Sequence, residues 1–332
     1  MRMRERWLDD AKEQEFYTLN KKIQSVVIGG AVGDAIGVPY EFKKRDTFMA
    51  TEMIGYGTYN QPIGSWSDDT SLTLCLVENF TEKGNLDSLC KKFLNFLENG
   101  YWTPYGYRFD IGISTLNAIE KYKNGVSPEF CGGSSEMDNG NGALMRLSPI
   151  LFVAIFEKDP QILIEMVRTY SSITHRHPRS IVGCIIYIEF LTRTYLNNDF
   201  NESLDISVEF CNNIIKDKDL KEEFQHYKKI FNKEIIKLNR EDIRSDGYVV
   251  NSLEAALWCY ATTNSYAEAV LKAVNLGGDT DTIAFLTGTM AGLKYGVNNI
   301  PLEWVSKIAR INEIKDLCSK FSQSCLIEKN KF

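Results

Sequence analysis

Much of what would assign this chain quickly is missing from it. Among 332 residues there are three histidines and eight prolines, and none of the eight cysteines pairs with another as C-x-x-C. A zinc site needs more His or Cys partners at matched spacing, so zinc is not expected. With a net charge of -6 and a pI near 5.4, the chain has no general affinity for a polyanion, which argues against nonspecific nucleic-acid binding. The longest apolar runs, such as Ile181 to Leu191, fall short of a membrane span, and the first ten residues lack an apolar signal core. A cytoplasmic protein with no membrane partner is the expectation. No repeat, low-complexity stretch or Pro- and Ser-rich boundary divides the sequence, which favours one domain. Alternating strand-like runs are scarce as well.

What is present is helical periodicity from end to end. Leu72, Leu76 and Phe80 recur at four-residue spacing, as do Leu86, Cys90 and Leu94, with Leu89, Phe93 and Leu97 filling the same face. The chain therefore reads as all-α. The cysteines Cys75, Cys90, Cys131, Cys184, Cys211, Cys259, Cys318 and Cys325 lie mostly in apolar helical stretches and read as reduced core thiols. Small residues at Ala284, Gly288, Ala291 and Gly292 mark a central helix that a neighbouring backbone approaches closely. Residues 216–244 are strongly charged yet keep a stripe of Phe224, Tyr227, Phe231, Ile235 and Leu238, the pattern of one amphipathic surface helix.

Two acidic clusters carry the chemistry. One is Ser67-Asp68-Asp69-Thr70; the other, in which Asp279 lies 210 residues beyond Asp69, is Asp279-Thr280-Asp281-Thr282 after Gly277-Gly278. Each reads as a helix start, where acidic side chains are favoured by the helix dipole even without a ligand. Brought together, four carboxylates and their neighbouring hydroxyls would form a set of hard oxygen ligands suited to Mg²⁺, Mn²⁺ or Ca²⁺.

Further motifs surround them. Gly29-Gly30-Ala31-Val32-Gly33-Asp34-Ala35-Ile36-Gly37 is glycine-rich, but it lacks the G-x-G-x-x-G spacing and a preceding strand, so close helix contact is a better reading than dinucleotide binding. Asp34 reads chiefly as a buried structural carboxylate, with substrate binding as its functional alternative. Asn139-Gly140-Asn141-Gly142 offers a turn whose amides could hold a phosphate, against the commoner Asn-Gly turn without a ligand. His175 and Arg176, in Thr174-His175-Arg176-His177-Pro178, could add hydrogen bonds to a diphosphate, or a histidine could serve the helix end.

Together, Gly30 to Gly37, Trp66 to Thr70, Phe109-Asp110-Ile111-Gly112, Asn139 to Arg146, Thr174 to Pro178 and Asn275 to Thr282 resemble the ADP-ribosylglycohydrolase family, which includes the dinitrogenase reductase-activating glycohydrolases. The resemblance implies a single orthogonal all-α domain with a binuclear Mg²⁺ centre, Mn²⁺ substituting, at the base of a cleft. It implies that Ser67, Asp68 and Asp69 hold one metal, Asp279 and Thr282 the other, and Asp281 bridges them. Gly140, Asn141, Gly142 and His175 would hold the diphosphate. Asp110 would assist the leaving group, with Glu41 as second candidate. The implied substrate is an ADP-ribosylated protein, modified on arginine first and serine next. Tyr248 and Tyr105 are available to stack on adenine. The expected domain spans 21–325 behind an extension, 1–20, which could contact an ADP-ribosyltransferase toxin as the blocking element of an immunity protein.

Overall fold

Glycine at every fourth position, Gly29, Gly33 and Gly37, leaves the first helix with a face free of side chains, and that face organises the molecule. The computed structural model describes residues 2–329 apart from 158 and 198, with the side chains of residues 2–11 also outside the description. Helix α1 runs unbroken over Arg2–Gly37. The other helices of nine or more residues are α2 (Asp68–Thr81), α3 (Leu86–Asn99), α4 (Ile113–Lys123), α5 (Pro160–Ser172), α6 (Pro178–Tyr195), α7 (Phe200–Ile214), α8 (Val249–Ala261), α9 (Tyr266–Val274), α10 (Thr280–Tyr295) and α11 (Ile311–Lys329). Among the described residues there is no strand, only three isolated bridges, so the all-α expectation holds.

Helix α10 carries the predicted small residues and is the central one: every residue from Thr280 to Leu293 is buried, and it packs on α1, α2, α6, α8 and α9. Its contact with α1 is backbone on backbone. A β-carbon on Gly33 would stand 2.1 Å from the Ala284 carbonyl oxygen, one on Gly29 2.5 Å from that of Gly288, and one on Gly292 2.1 Å from that of Ser25. The glycines thus do what the sequence suggested, letting two helices touch. Around this pair, Leu72 and Leu76 of α2 are buried, and Phe80 packs on Tyr170 and Phe321 at 5.1 and 6.2 Å between ring centroids. On α3 the deepest residues are Leu89, Cys90, Phe93 and Phe96, with Leu86, Leu94 and Leu97 partly buried beside them. All eight cysteines are buried and free, as expected.

Two features differ from the sequence reading. The segment Lys12–Tyr40 contains an 18-residue window with the length and hydropathy of a membrane span, yet 94% of that window is buried inside the protein. Its apolarity serves the core, because α1 is buried continuously from Ser25 to Gly37. The expected boundary at residue 20 falls within α1, which runs over Arg2–Gly37 without a break. Residues 216–244 are not one helix but a string of short turns, Lys218–Glu222, Glu223–Tyr227, Lys228–Phe231, Ile235–Lys237 and Arg240–Asp242. Lys233 sits in the left-handed region at φ 56° and interrupts them, and the apolar stripe is pulled inward instead, with Tyr227, Ile230 and Ile235 fully buried.

The helix crossing gives a direct test. Gly33→Ala gains about 1 kcal/mol of helix propensity but forces a methyl group onto a backbone carbonyl that cannot rotate away, so a net loss of about 2 kcal/mol is expected. Urea unfolding should show a lower midpoint at unchanged slope; a raised midpoint would mean the crossing has slack.

Candidate active site

The first acidic turn is built by its own cap and by α1. Ser67 is the N-cap of α2, accepting from the Asp69 amide at 3.2 Å and donating to Asp69 Oδ2 at 3.0 Å. From α1, Asp34 reaches across: its carboxylate accepts from the Ser67 amide at 2.9 Å, the Thr70 amide at 3.2 Å and the Thr70 hydroxyl at 2.6 Å. The second turn leans on the end of the same helix. The Thr280 hydroxyl donates to the Gly37 carbonyl at 2.8 Å, and a β-carbon on Gly37 would lie 2.4 Å from the Asp281 Cα. Only glycine allows that approach. The two clusters therefore meet: the Thr282 hydroxyl donates to Asp69 Oδ2 at 3.3 Å.

Above them opens a cleft of about 400 Å³. It is lined by Glu41, Phe42, Asp110 and Gly112, by the acidic turns with Asp68, Asp69, Asp279, Asp281 and Thr282, and by Gly140, Asn141, Gly142, His175 and Gly247. Carboxylate oxygens of Glu41, Asp110 and Asp281 lie within 4.8 Å of one another. Asp68 accepts from the Gly112 amide at 3.3 Å, which ties α2 to the loop that carries Asp110.

Burial dominates the electrostatics. It pushes Glu41 up to about 8, with the charge of Asp110 adding to it, and raises Asp68, Asp69, Asp110, Asp279 and Asp281 above the ordinary carboxylate range. Among these, Asp68 is raised further by Asp110, Asp69 by Asp34 and Asp281 by Glu41. Two buried oxygens in this cluster, Glu41 Oε2 and Asp69 Oδ1, have no hydrogen-bond partner. Crowded carboxylates with unused lone pairs and no cationic side chain lining the cleft fit divalent cations held by oxygen. The other histidine-containing group of acids, Glu136, His177 and Glu223, is different, because the Arg179 guanidinium already bridges Glu136 at 2.8 Å and Glu223 at 2.7 Å.

Several expected roles change in detail. Asp34 is fully buried and does not line the cleft; its oxygens are occupied by the amides and hydroxyl of the first acidic turn, so it positions that turn and is not placed to bind substrate. Ser67 likewise is not on the cleft wall, its hydroxyl being engaged by Asp69. Asn141 is in the wall, but its amide nitrogen donates to the Gly247 carbonyl at 3.0 Å and its side chain to Asp279 at 2.7 Å and Ser252 at 2.8 Å. It orients Asp279. The turn it belongs to leads into a short 3-10 turn, Leu144–Arg146, instead of a long helix. The fully buried Arg146 guanidinium donates to the Gly142 carbonyl and to that of Tyr170, which fixes the loop from behind. His175 touches the space beside Gly140 and Gly142, with Thr174 on its Nδ1 at 2.8 Å. Burial lowers it to about 3, so it meets a ligand as a neutral imidazole. Arg176 does not line the cleft, and His177 caps α6 by accepting from the Arg179 amide at 3.1 Å. Of the two tyrosines, Tyr248 bridges Gly140 through its backbone, whereas Tyr105 stacks on Tyr107 away from that loop.

Sequence reasoning missed three contributors. Tyr59 lies beside the carboxyls of both Glu41 and Asp110, where its hydroxyl favours their charged forms. Thr115 lines the cleft with a buried, unpartnered hydroxyl. Arg45 donates to the carbonyls of Leu276 at 2.8 Å, Arg240 at 2.6 Å and Ile243 at 2.6 Å, clamping the strand of chain after Glu41 to the loop before Asp279. Only Tyr59 had a sequence signal, the Gly55-Tyr56-Gly57-Thr58-Tyr59 turn between two motifs.

An all-helical fold whose cleft joins two acidic helix starts defines a class, and the comparison with known families agrees: the chain belongs to the ADP-ribosylglycohydrolase family, whose model matches residues 16–330. It is 33% identical over 314 residues to the ADP-ribosylarginine hydrolase Tri1 of Serratia proteamaculans, covering 90% of this chain and 78% of that one. It is 29% identical over 288 residues to the ADP-ribosyl-[dinitrogen reductase] glycohydrolase of Rhodospirillum rubrum, covering 85% of this chain and 88% of that one. Among solved structures, an ADP-ribosylglycohydrolase-related protein complex superposes with a TM-score of 0.76 at 26% identity, covering 92% of this chain and 98% of that one.

The raised carboxyls set the pH response of the metal-free chain. Folded, it binds more protons than unfolded, so their contribution to stability is fully present below the ordinary carboxylate range and is lost as pH rises through the folded values, about 8 for Glu41. Thermal melting with a chelator present should give a falling Tm between about pH 5 and pH 8, and saturating Mg²⁺ should flatten that fall. A Tm that rises over this window, with or without Mg²⁺, would contradict the reading.

Proposed function

We propose that the chain hydrolyses the bond between the anomeric carbon of an ADP-ribosyl group and a protein arginine side chain, using two divalent cations, Mg²⁺ with Mn²⁺ as substitute. The observation that carries this is the Thr282 to Asp69 hydrogen bond, which closes two distant acidic turns into one oxygen cage containing unpartnered Asp69 Oδ1 and Glu41 Oε2. Arginine as the acceptor is supported by the relatives, one of which is named an ADP-ribosylarginine hydrolase. Asp68, Asp69, Asp279, Asp281 and Thr282 would hold the cations, with Ser67 joining them on release of its cap bond. Bound there, divalent cations neutralise the carboxylates and orient the ribose hydroxyls.

The rest of the work belongs to side chains. The wall of Gly140 and Gly142 admits a diphosphate close to backbone, and neutral His175 hydrogen-bonds it without adding charge. As the carbon–nitrogen bond breaks, its electron pair leaves with the guanidine and positive charge grows on the sugar, where the cleft carboxylates stabilise it. Water adds to the anomeric carbon and gives up a proton. Asp110 is our first choice to take it and pass it on to the departing guanidine, being partly exposed in the cleft wall beside Tyr59. Glu41, buried at its side, is the second.

A separate role follows from the N-terminal part of α1, whose residues from Lys12 to Gln14 stand exposed beyond the core. That part is free to contact an ADP-ribosyltransferase toxin as a blocking element, and a chain lacking residues 1–20 that protects cells as well as the full chain would refute it.

The enzymatic proposal is tested with ADP-ribosyl-arginine, ADP-ribosyl-serine and free nucleotide sugars, assayed with Mg²⁺ and with chelator. Release of ADP-ribose from the arginine conjugate should require the cation. Asp68→Asn and Asp281→Asn should each lower kcat/KM by roughly a thousandfold while the fold melts normally. Metal-independent turnover, or variants that retain full rate, would remove the assignment.

A further inference from the structure

The cleft mouth beside Glu41 and Asp110 is ringed by aromatic side chains that the interior does not use. Phe42 follows Glu41 and is 72% exposed; Tyr56 is 63% exposed. Both lie in the left-handed half of backbone space, Phe42 at φ 62° and Tyr56 at φ 66° with ψ -119°. Glycine or asparagine would take such turns at lower cost, and a bulky ring there gains nothing from the solvent it faces. The turn geometry alone therefore does not account for these residues.

The rings form a continuous surface. Tyr59 packs between Phe42, at 6.5 Å, and Phe109, at 5.1 Å, so it spans the two chain segments that carry Glu41 and Asp110. Gln61, itself buried, joins the next rings: its backbone bridges Tyr56, and its side-chain oxygen accepts from the Tyr107 hydroxyl at 2.8 Å. Tyr107 in turn stacks on Tyr105 at 6.4 Å, and both are about half exposed. The rim starts at the cleft's carboxyls, since Phe42 lines the cleft next to Glu41 and Phe109 precedes Asp110.

We infer that this rim, Phe42, Tyr56, Tyr105 and Tyr107, is the docking surface for the polypeptide of the substrate, and that it receives apolar side chains flanking the modified arginine. The inference rests on the glycohydrolase reading above. If the bond to the acceptor is cut beside Asp110 and Glu41, whatever hangs from the acceptor must leave the cleft past these rings. Tyrosine suits that task because it offers apolar area at small entropic cost, with a hydroxyl for the backbone of the partner. The same rim has nothing to hold when the acceptor is free arginine.

The test uses three probes with an identical scissile bond: ADP-ribosyl-arginine, a peptide carrying ADP-ribosyl-arginine between leucines, and the same peptide with glycines in their place. The unaltered chain should favour the leucine peptide over the glycine peptide by roughly fivefold or more in kcat/KM, the effect of burying part of one aliphatic side chain. The double variant Tyr56→Asn/Tyr105→Ala, changed only at exposed positions outside the cleft, should lose that preference and keep its rate on ADP-ribosyl-arginine. No preference in the unaltered chain, a preference that survives in the double variant, or an equal loss on all three probes would each overturn the docking surface. Failure of the unaltered chain to cleave ADP-ribosyl-arginine at all would instead remove the underlying reading, and this one with it.

Discussion

The contact between α1 and α10 is the constraint on which the site depends. Because Gly29, Gly33 and Gly37 bring the two backbones together, the C-terminal turns of α1 become the common mount for both acidic clusters. Asp34 holds the first through the Ser67 and Thr70 amides, and Gly37, one turn further on, receives the second through Thr280 and the Asp281 Cα. A helix with side chains on that face would hold α10 further off and separate the clusters. Packing and chemistry are therefore not divided between different parts of the molecule.

The electrostatic design follows from that geometry. Buried acids are tolerated only when neutralised, and here their own amides and hydroxyls satisfy some oxygens while Glu41 Oε2 and Asp69 Oδ1 are left over. The wall of Gly140 and Gly142 is neutral, since His175 is held unprotonated and the Arg146 charge is turned away into the core behind Gly142. Charge balance at the cleft is thus left to what binds there. That is consistent with a family that depends on metals.

The fold class and the main site residues were legible because they leave local marks: helical spacing, small residues at turn intervals, and acids at helix starts. Asp68, Asp69, Asp279, Asp281 and Thr282 line one cleft, a meeting that the family resemblance implied and their separation along the chain did not. What was not legible depends on which way a side chain faces. Asn141 sits within the right motif, yet its side chain orients Asp279, while Asp34 supports the first acidic turn, in line with its chief reading. The charged stretch 216–244 misled because a stripe at helical spacing does not reveal the left-handed residue, Lys233, that breaks it. Arg45 and Thr115 stood in no motif at all, and only the meeting of distant loops gives them a role.

The partners in the central crossing are far apart along the chain, with Gly37 and Thr280 separated by 243 residues. During synthesis at about 5–20 residues per second, α1 emerges roughly 10–50 seconds before α10 exists to cover it. For that interval the nascent chain displays a helix apolar enough to enter a bilayer and a glycine face with no mate. The cleft can close only after residues 279–282 have been made, so a product that stops short of them would carry the first acidic turn without its counterpart.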